Sequence, residues 1–232
     1  PLHRHQRPQL AHGRAQIVAD QPLTRVGVIM LDTQFPRPVG DIGHPSSWSL
    51  RGLTPIYQVV QGAFPKHIVT LDAQPAWLSR FVHAALELIA QGSEVITTSC
   101  GFLARYQGAL QAALTVPVIT SGLLWGRELS QPGILTISSD RLGQLDLDGA
   151  AVPTETPVMG VNPHGEFHRC IMGNQAQMDL AQAENDVVDA ALALVRQHPQ
   201  VQNIVLECTN MPPYREAISA CTGLPCWDVI DL

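Results

Sequence analysis

Short apolar runs alternate along the chain with longer stretches whose apolar residues recur every three or four positions, and glycine or proline separates them. "RVGVIML" (25–31) predicts a strand, and β-like runs follow at 56–61 and 67–71. Residues 75–92 carry helical periodicity, with Pro75 near the start and Gly92 at the end. Each of these residue types favours that end of a helix. The same reading predicts strands at 94–98 and 116–120, with a helix over about 101–114 between them. Beyond them it predicts a helix at 121–131, strands at 133–138 and 157–162, and a helix at 176–197. A strand at 203–207, a helix at 212–222 and a last strand from Cys226 complete the series. Alternation of this kind predicts an α/β fold with mostly parallel sheets.

The pattern also repeats. "AALELIAQ" (84–91) aligns without gaps on "AALALVRQ" (190–197) at an offset of 106, and "GVIML" (27–31) falls on "GILTI" (133–137) at the same offset. After a two-residue slip the offset becomes 108. Cys100, Tyr106, Ala109 and Pro117 then fall on Cys208, Tyr214, Ala217 and Pro225. Matches in one order along the chain predict two pseudo-symmetric Rossmann-like halves. The expected division is a flexible tail (1–23), a first α/β domain (24–117 plus 221–232) and a second (118–220). The active site belongs in the cleft between them, because ligands of open α/β sheets bind beyond the carboxyl ends of the strands.

Composition narrows the picture. The chain has 232 residues, 45% hydrophobic and 15% charged, which is a globular composition. A formal charge of −6 argues against nucleic acid or an anionic membrane surface as partner. No apolar run approaches the roughly 18 residues of a membrane span. The opening "PLHRHQRPQLAHGRAQ" lacks the apolar stretch of a secretory signal, and His3, His5 and His12 have no fixed geometry there for a metal. The chain ends directly after its last predicted strand, where a further short segment is expected. Five widely spaced cysteines form no disulfide framework, so a reducing, cytoplasmic setting is expected.

Three of those cysteines have plain readings. Cys221 and Cys226 in "CTGLPC" are expected to be packing residues. Cys170, with His164 and His168 in "HGEFHRC", is expected on a surface loop and not in a zinc site. Neither a GxGxxG turn nor a Walker loop is present, so no cofactor and no metal are expected.

Cys100 and Cys208 differ, since each sits at the carboxyl end of a strand, just before a helix. Either alone would read as a buried structural thiol; the matched positions and polar neighbours favour chemistry. A thiol is inert until ionised, and unpaired N–H groups at the following turn favour the thiolate and suit a carboxylate. Two opposed thiols have a natural use. One removes a proton from a carbon next to a carboxylate or amide carbonyl, the other delivers a proton to the opposite face, and the centre inverts without a cofactor. Thr98, Ser99, Gly101, Phe102, Thr209 and Asn210 flank the pair as candidate substrate contacts. Glu207 reads equally as a buried, hydrogen-bonded strand residue or as a group that tunes the cysteine. The long loop 34–51 should overhang the cleft, where Arg37 or Arg51 could grip a carboxylate bidentately.

The paired strand–Cys–helix units, the duplicated halves and "ECTNMPPY" (207–214) resemble the aspartate/glutamate racemase superfamily over residues 24 to 232. The resemblance implies that Cys100 and Cys208 form the base/acid pair and that Asp32 and Thr33 stand at substrate-site positions. Two departures stand out. Gly101-Phe102 occupies the place where amino-acid racemases commonly carry Asn-Thr, and Cys-Thr-Asn is nearer to a maleate isomerase than to the Cys-Thr-His of many glutamate racemases. The expected function is a PLP-independent racemase or epimerase acting on an Asp/Glu-like amino acid or a derivative. A maleate-type cis–trans isomerase and a hydantoin racemase are alternatives. Decarboxylase or lyase chemistry, which needs only one cysteine, is disfavoured. A small-carboxylate-binding domain is the non-enzymatic alternative. The partner expected is a small carboxylate-bearing substrate, and the apolar character of the halves suits a homodimer.

Overall fold

The computed structural model describes residues 23–232; the tail and its histidines lie outside the described residues. The elements run β1 (Thr24–Leu31), α1 (Pro45–Ser49), β2 (Leu53–Val60), α2 (Pro65–Ile68), α3 (Pro75–Ala90) and β3 (Val95–Thr98). A 3-10 segment Gly101–Tyr106 leads into α4 (Gln107–Ala113), followed by β4 (Val118–Ile119) and a second 3-10 segment, Gly122–Arg127. The second half runs β5 (Pro132–Thr136), α5 (Gln144–Gly149), β6 (Val158–Gly160), α6 (Glu166–Met172), α7 (Leu180–Gln197) and β7 (Asn203–Leu206). A 3-10 turn at Pro212–Tyr214, α8 (Arg215–Thr222), β8 (Cys226–Trp227) and a final 3-10 turn at Val229–Asp231 complete it.

The strands form two four-stranded sheets, ordered β2-β1-β3-β4 and β6-β5-β7-β8, and every pairing is parallel. Their registers repeat. Ile29 pairs with Thr98 and Leu135 with Leu206, while Ile96 pairs with Val118 and Ile204 with Cys226. These are the offsets of 106 on the first strand and 108 on the other two, so the slip in the sequence repeat is absorbed before β3 and β7 without disturbing the ladders.

The main helices dock in the same equivalent way. α3 buries Phe81, Ala84, Ala85 and Leu88, and α7 buries Ala183, Val187, Ala190, Ala191 and Leu194, a spacing of three and four that turns one face inward. Each lies close over its first strand at a glycine. A Cβ added at Gly27 would sit 3.0 Å from Leu88, and one at Gly133 would sit 3.0 Å from Leu194. Truncating either leucine to alanine in this packed layer costs about 2–5 kcal/mol.

Several sequence expectations give way here. The run 67–71 is no strand: Pro65 opens the single turn of α2, and Ile68 and Val69 reach the core from helix and bend instead of from a ladder. Residues 121–131 form only the short 3-10 segment, because Gly122 is pressed against the Leu206 carbonyl and Gly126 against Val152. "HGEFHRC" is not a surface loop. Glu166–Met172 is helical and buries Phe167, Cys170 and Ile171. Loop 34–51 contains α1, with the imidazole of His44 accepting from the Ser46 N–H at its start.

The boundaries expected at 117/118 and 220/221 cut across the sheets. Val118–Ile119 pairs with β3 in the first sheet, and Cys226–Trp227 pairs with β7 in the second. Only the last few residues return to the first half: Val229 is buried with Val26, Val28, Met30, Ile42 and Trp48 on the outer face of β1. Cys226 is buried, but Cys221 is exposed, so packing does not account for it. Among the described residues no helix is long and apolar enough to cross a membrane.

Candidate active site

β3 ends at Thr98 and β7 at Leu206, and two residues later each chain delivers a cysteine to the same place. The side chains of Cys100 and Cys208 line one cavity at the carboxyl ends of the two sheets, together with Ser99, Gly101, Phe102, Glu207, Thr209 and Asn210. Thr33 and Arg37 face it from the segment after β1, as does Phe35. Leu31, Val69, Ile137 and Ile171 supply apolar wall. The room left between them is about 20 Å³, little more than one water needs. A substrate therefore requires the pocket to widen.

Both halves are stitched together at this point. The Thr209 hydroxyl donates to the Ser99 carbonyl at 2.7 Å, and the Ser99 hydroxyl accepts from the Leu31 N–H at 2.9 Å. Arg37 is held by two 2.7 Å hydrogen bonds, to a carboxylate oxygen of Asp41 and to the Thr33 hydroxyl, and its guanidinium lies 4.6 Å from the Phe35 ring centre. The other Asp41 oxygen accepts from the Asn210 amide at 2.6 Å, and the Asn210 side-chain oxygen receives the Cys208 thiol at 3.6 Å. A continuous polar chain thus runs Arg37–Asp41–Asn210–Cys208.

Three candidates fall elsewhere. Asp32 turns away from the cavity, its carboxylate accepting from the Gly62 N–H at 2.7 Å and so closing the turn after β2. Arg51 pairs with Asp231 and lines a separate surface depression with Arg215 and Asp228. Thr98 lies behind the wall: its hydroxyl donates to the Thr120 carbonyl at 2.7 Å and accepts from the Cys100 N–H at 3.3 Å. It fixes the backbone of Cys100 and does not reach the cavity.

The electrostatics oppose the sequence expectation of ready thiolates. Cys100 is 8% exposed and Cys208 6%. Burial pushes both thiols up from their ordinary value, the nearby Glu207 carboxyl pushes them further, and the N–H groups of Phe102 and Asn210 only partly offset this. In the free pocket both cysteines are therefore neutral thiols at pH 7. Cys208 is also sensitive to the charge of Cys100, as two groups facing one pocket should be. Glu207 is itself fully buried and is pushed up from 4.5 to about 8, mainly by burial.

Sequence reasoning missed Leu31, Val69, Ile137, Ile171 and Phe35. The repeat held a signal for one pair: Ile137 is Leu31 at the offset of 106, and both stand at the tips of the first strands. Nothing local announces Ile171, which arrives from α6.

The architecture is that of the aspartate/glutamate racemase superfamily fold. Allantoin racemase from Pseudomonas fluorescens superposes with a TM-score of 0.56 at 18% identity, over 89% of this chain and 86% of that one. No family model matches the chain. Among curated proteins it is 27% identical over 92% of its length to dimethylsulfoniopropionate lyase 3 of Emiliania huxleyi (strain CCMP1516), and spans 58% of that protein. It is 25% identical over 88% of its length to the dimethylsulfoniopropionate lyase of Durusdinium sp. clade D, and spans 71% of that one.

Proposed function

We propose that this chain removes the proton α to the carboxylate of a small substrate with a cysteine base, and that the substrate carries a sulfonium leaving group on its β carbon, as in dimethylsulfoniopropionate. The observation that carries the reading is the pair of cysteines on one small, largely apolar cavity that Arg37 also lines. The likeness to the lyases supplies the leaving group.

Arg37, aligned by Asp41 and Thr33, binds the carboxylate. Cys208 is the base, because its thiol belongs to the polar chain that ends on that arginine. As thiolate it takes the proton from C2. The C–H electron pair forms the C2–C3 double bond, and the C3–S pair leaves on sulfur, giving acrylate and neutral dimethyl sulfide. The thiol then returns its proton to water. The apolar wall of Phe102, Ile137 and Ile171 suits S-methyl groups. A cationic substrate also answers the question of activation, since a positive charge beside buried thiols lowers their pKa where burial and Glu207 raise it.

One observation favours a second reading, racemisation or epimerisation of an amino acid or derivative: a cysteine stands on each wall, and elimination needs only one. Incubation in deuterated water separates the two. Elimination yields dimethyl sulfide and acrylate by headspace gas chromatography and NMR. Racemisation yields α-deuterated product from aspartate, glutamate or a hydantoin without loss of a group. If none of these substrates reacts, both readings fall.

A further inference from the structure

Glu207 has no counterpart in the first half, where Ser99 takes its place. Its carboxyl is fully buried on the cavity that both cysteines line. One oxygen accepts from the Thr136 hydroxyl at 2.6 Å, and the other has no hydrogen-bond partner among the described residues. That free oxygen lies against Gly101, so closely that a Cβ there would overlap it. A buried carboxyl oxygen with no partner is costly to keep. The fold holds it beside the reacting groups, with Arg37 as the only basic side chain lining the cavity among the described residues.

We infer that Glu207 is a specificity residue, the counter-charge for a cationic group on the substrate, so that the pocket selects zwitterions: carboxylate to Arg37, onium group to Glu207. The inference rests on the reading above for its substrate class, a carboxylate with a sulfonium or ammonium close to it. A bound cation supplies the missing partner of the free oxygen. Its charge also offsets the burial that keeps both thiols protonated and favours the ionised form of Glu207 beside it, so thiolate forms only when the right substrate is present. A carboxylate of the same shape without the onium group would reach Arg37 but leave Glu207 protonated and the thiols unreactive.

The test is binding, kept apart from turnover. In a C100S/C208S background, calorimetry at pH 8.5 compares dimethylsulfoniopropionate with 4-methylpentanoate, its uncharged carbon analogue. The sulfonium compound should bind at least tenfold more tightly, and E207Q should bring the ratio to within about twofold of unity. A ratio that E207Q leaves intact overturns the inference. Should E207Q fail to fold, the background protein alone decides the matter. Arg105 and Asp146 act on Glu207 from behind as a mutual ion pair, and Arg37 and residues 100 and 208 face the same cavity. With both thiols replaced, Glu207 is the cavity carboxyl that titrates, so the discrimination should shrink at least fivefold at pH 6; a flat ratio overturns the inference. Discrimination lost in E207Q without any turnover by the parent protein sinks the proposed reaction and leaves the inference standing. Turnover with discrimination unmoved does the reverse.

Discussion

The two cysteine turns stand at equivalent places in the repeat and differ in almost every neighbour. Ser99-Cys100-Gly101-Phe102 is a packed, mostly apolar corner: Phe102 is buried, Gly101 is small because Glu207 occupies the space beside it, and the Ser99 hydroxyl serves the backbone of Leu31. Glu207-Cys208-Thr209-Asn210 is polar throughout, and each side chain has an assignment. Glu207 faces Thr136, Thr209 ties the halves together, and Asn210 links Cys208 to Asp41 and Arg37. A symmetric racemase has no need of that asymmetry, whereas a base on one wall and a shaped apolar surface on the other suit one-sided elimination.

The largest test of this contrast removes each thiol. Cys208→Ala should lower the elimination rate by about 10³-fold or more, as expected for loss of a positioned base. Cys100→Ala should lower it by less than about tenfold. Equal losses from both, measured as dimethyl sulfide release, would break the contrast and favour two-base racemisation.

Next in size is Arg37. Arg37→Lys keeps the charge but loses the planar fork that Asp41 and Thr33 align, so KM should rise by about 30-fold with kcat less affected. A loss confined to kcat would place the arginine at the reacting carbon instead of at the carboxylate.

Glu207 makes stability depend on pH. Its folded pKa of about 8 lies above the ordinary 4.5, so the native state keeps a proton that the unfolded chain has already lost. Its contribution is fully present below pH 4.5 and is lost as pH rises toward and through 8. Urea unfolding across that window should show wild-type stability falling by a few kcal/mol relative to E207Q; parallel curves would mean that Glu207 ionises in the fold like an exposed carboxylate.

The smaller effects compare the residues after each cysteine. Gly101→Ala forces a Cβ into Glu207 and should destabilise by about 1–3 kcal/mol. Thr209→Val loses one buried hydrogen bond between the halves, worth about 1 kcal/mol. Thermal melts give both. Arg51→Ala, outside the cavity, should leave KM unchanged within twofold.

Much of this was legible in the chain. The helices 75–90 and 180–197 declare themselves by spacing, and the repeat fixes which strands are equivalent, because a duplicated ladder keeps its register wherever the hydrophobic pattern is kept. The same repeat singled out Cys100 and Cys208 over Cys170, Cys221 and Cys226. Less legible were the short elements. Apolar letters at 67–71 and 121–131 suit strand or helix alike, and the choice fell to what packs over them. Arg37 and Arg51 could not be ranked by sequence, since both lie on one loop; only the chain path that brings Asp41 to Arg37 and Asp231 to Arg51 separates them.

By itself, then, the sequence determined the doubled α/β architecture and the placing of one thiol at each equivalent strand end, since both follow from local periodicity and its repetition. The tertiary structure decided what those thiols are. Their ionisation depends on burial and on one carboxyl that acts on both, and dielectric and distance are properties of the folded interior that no local pattern encodes.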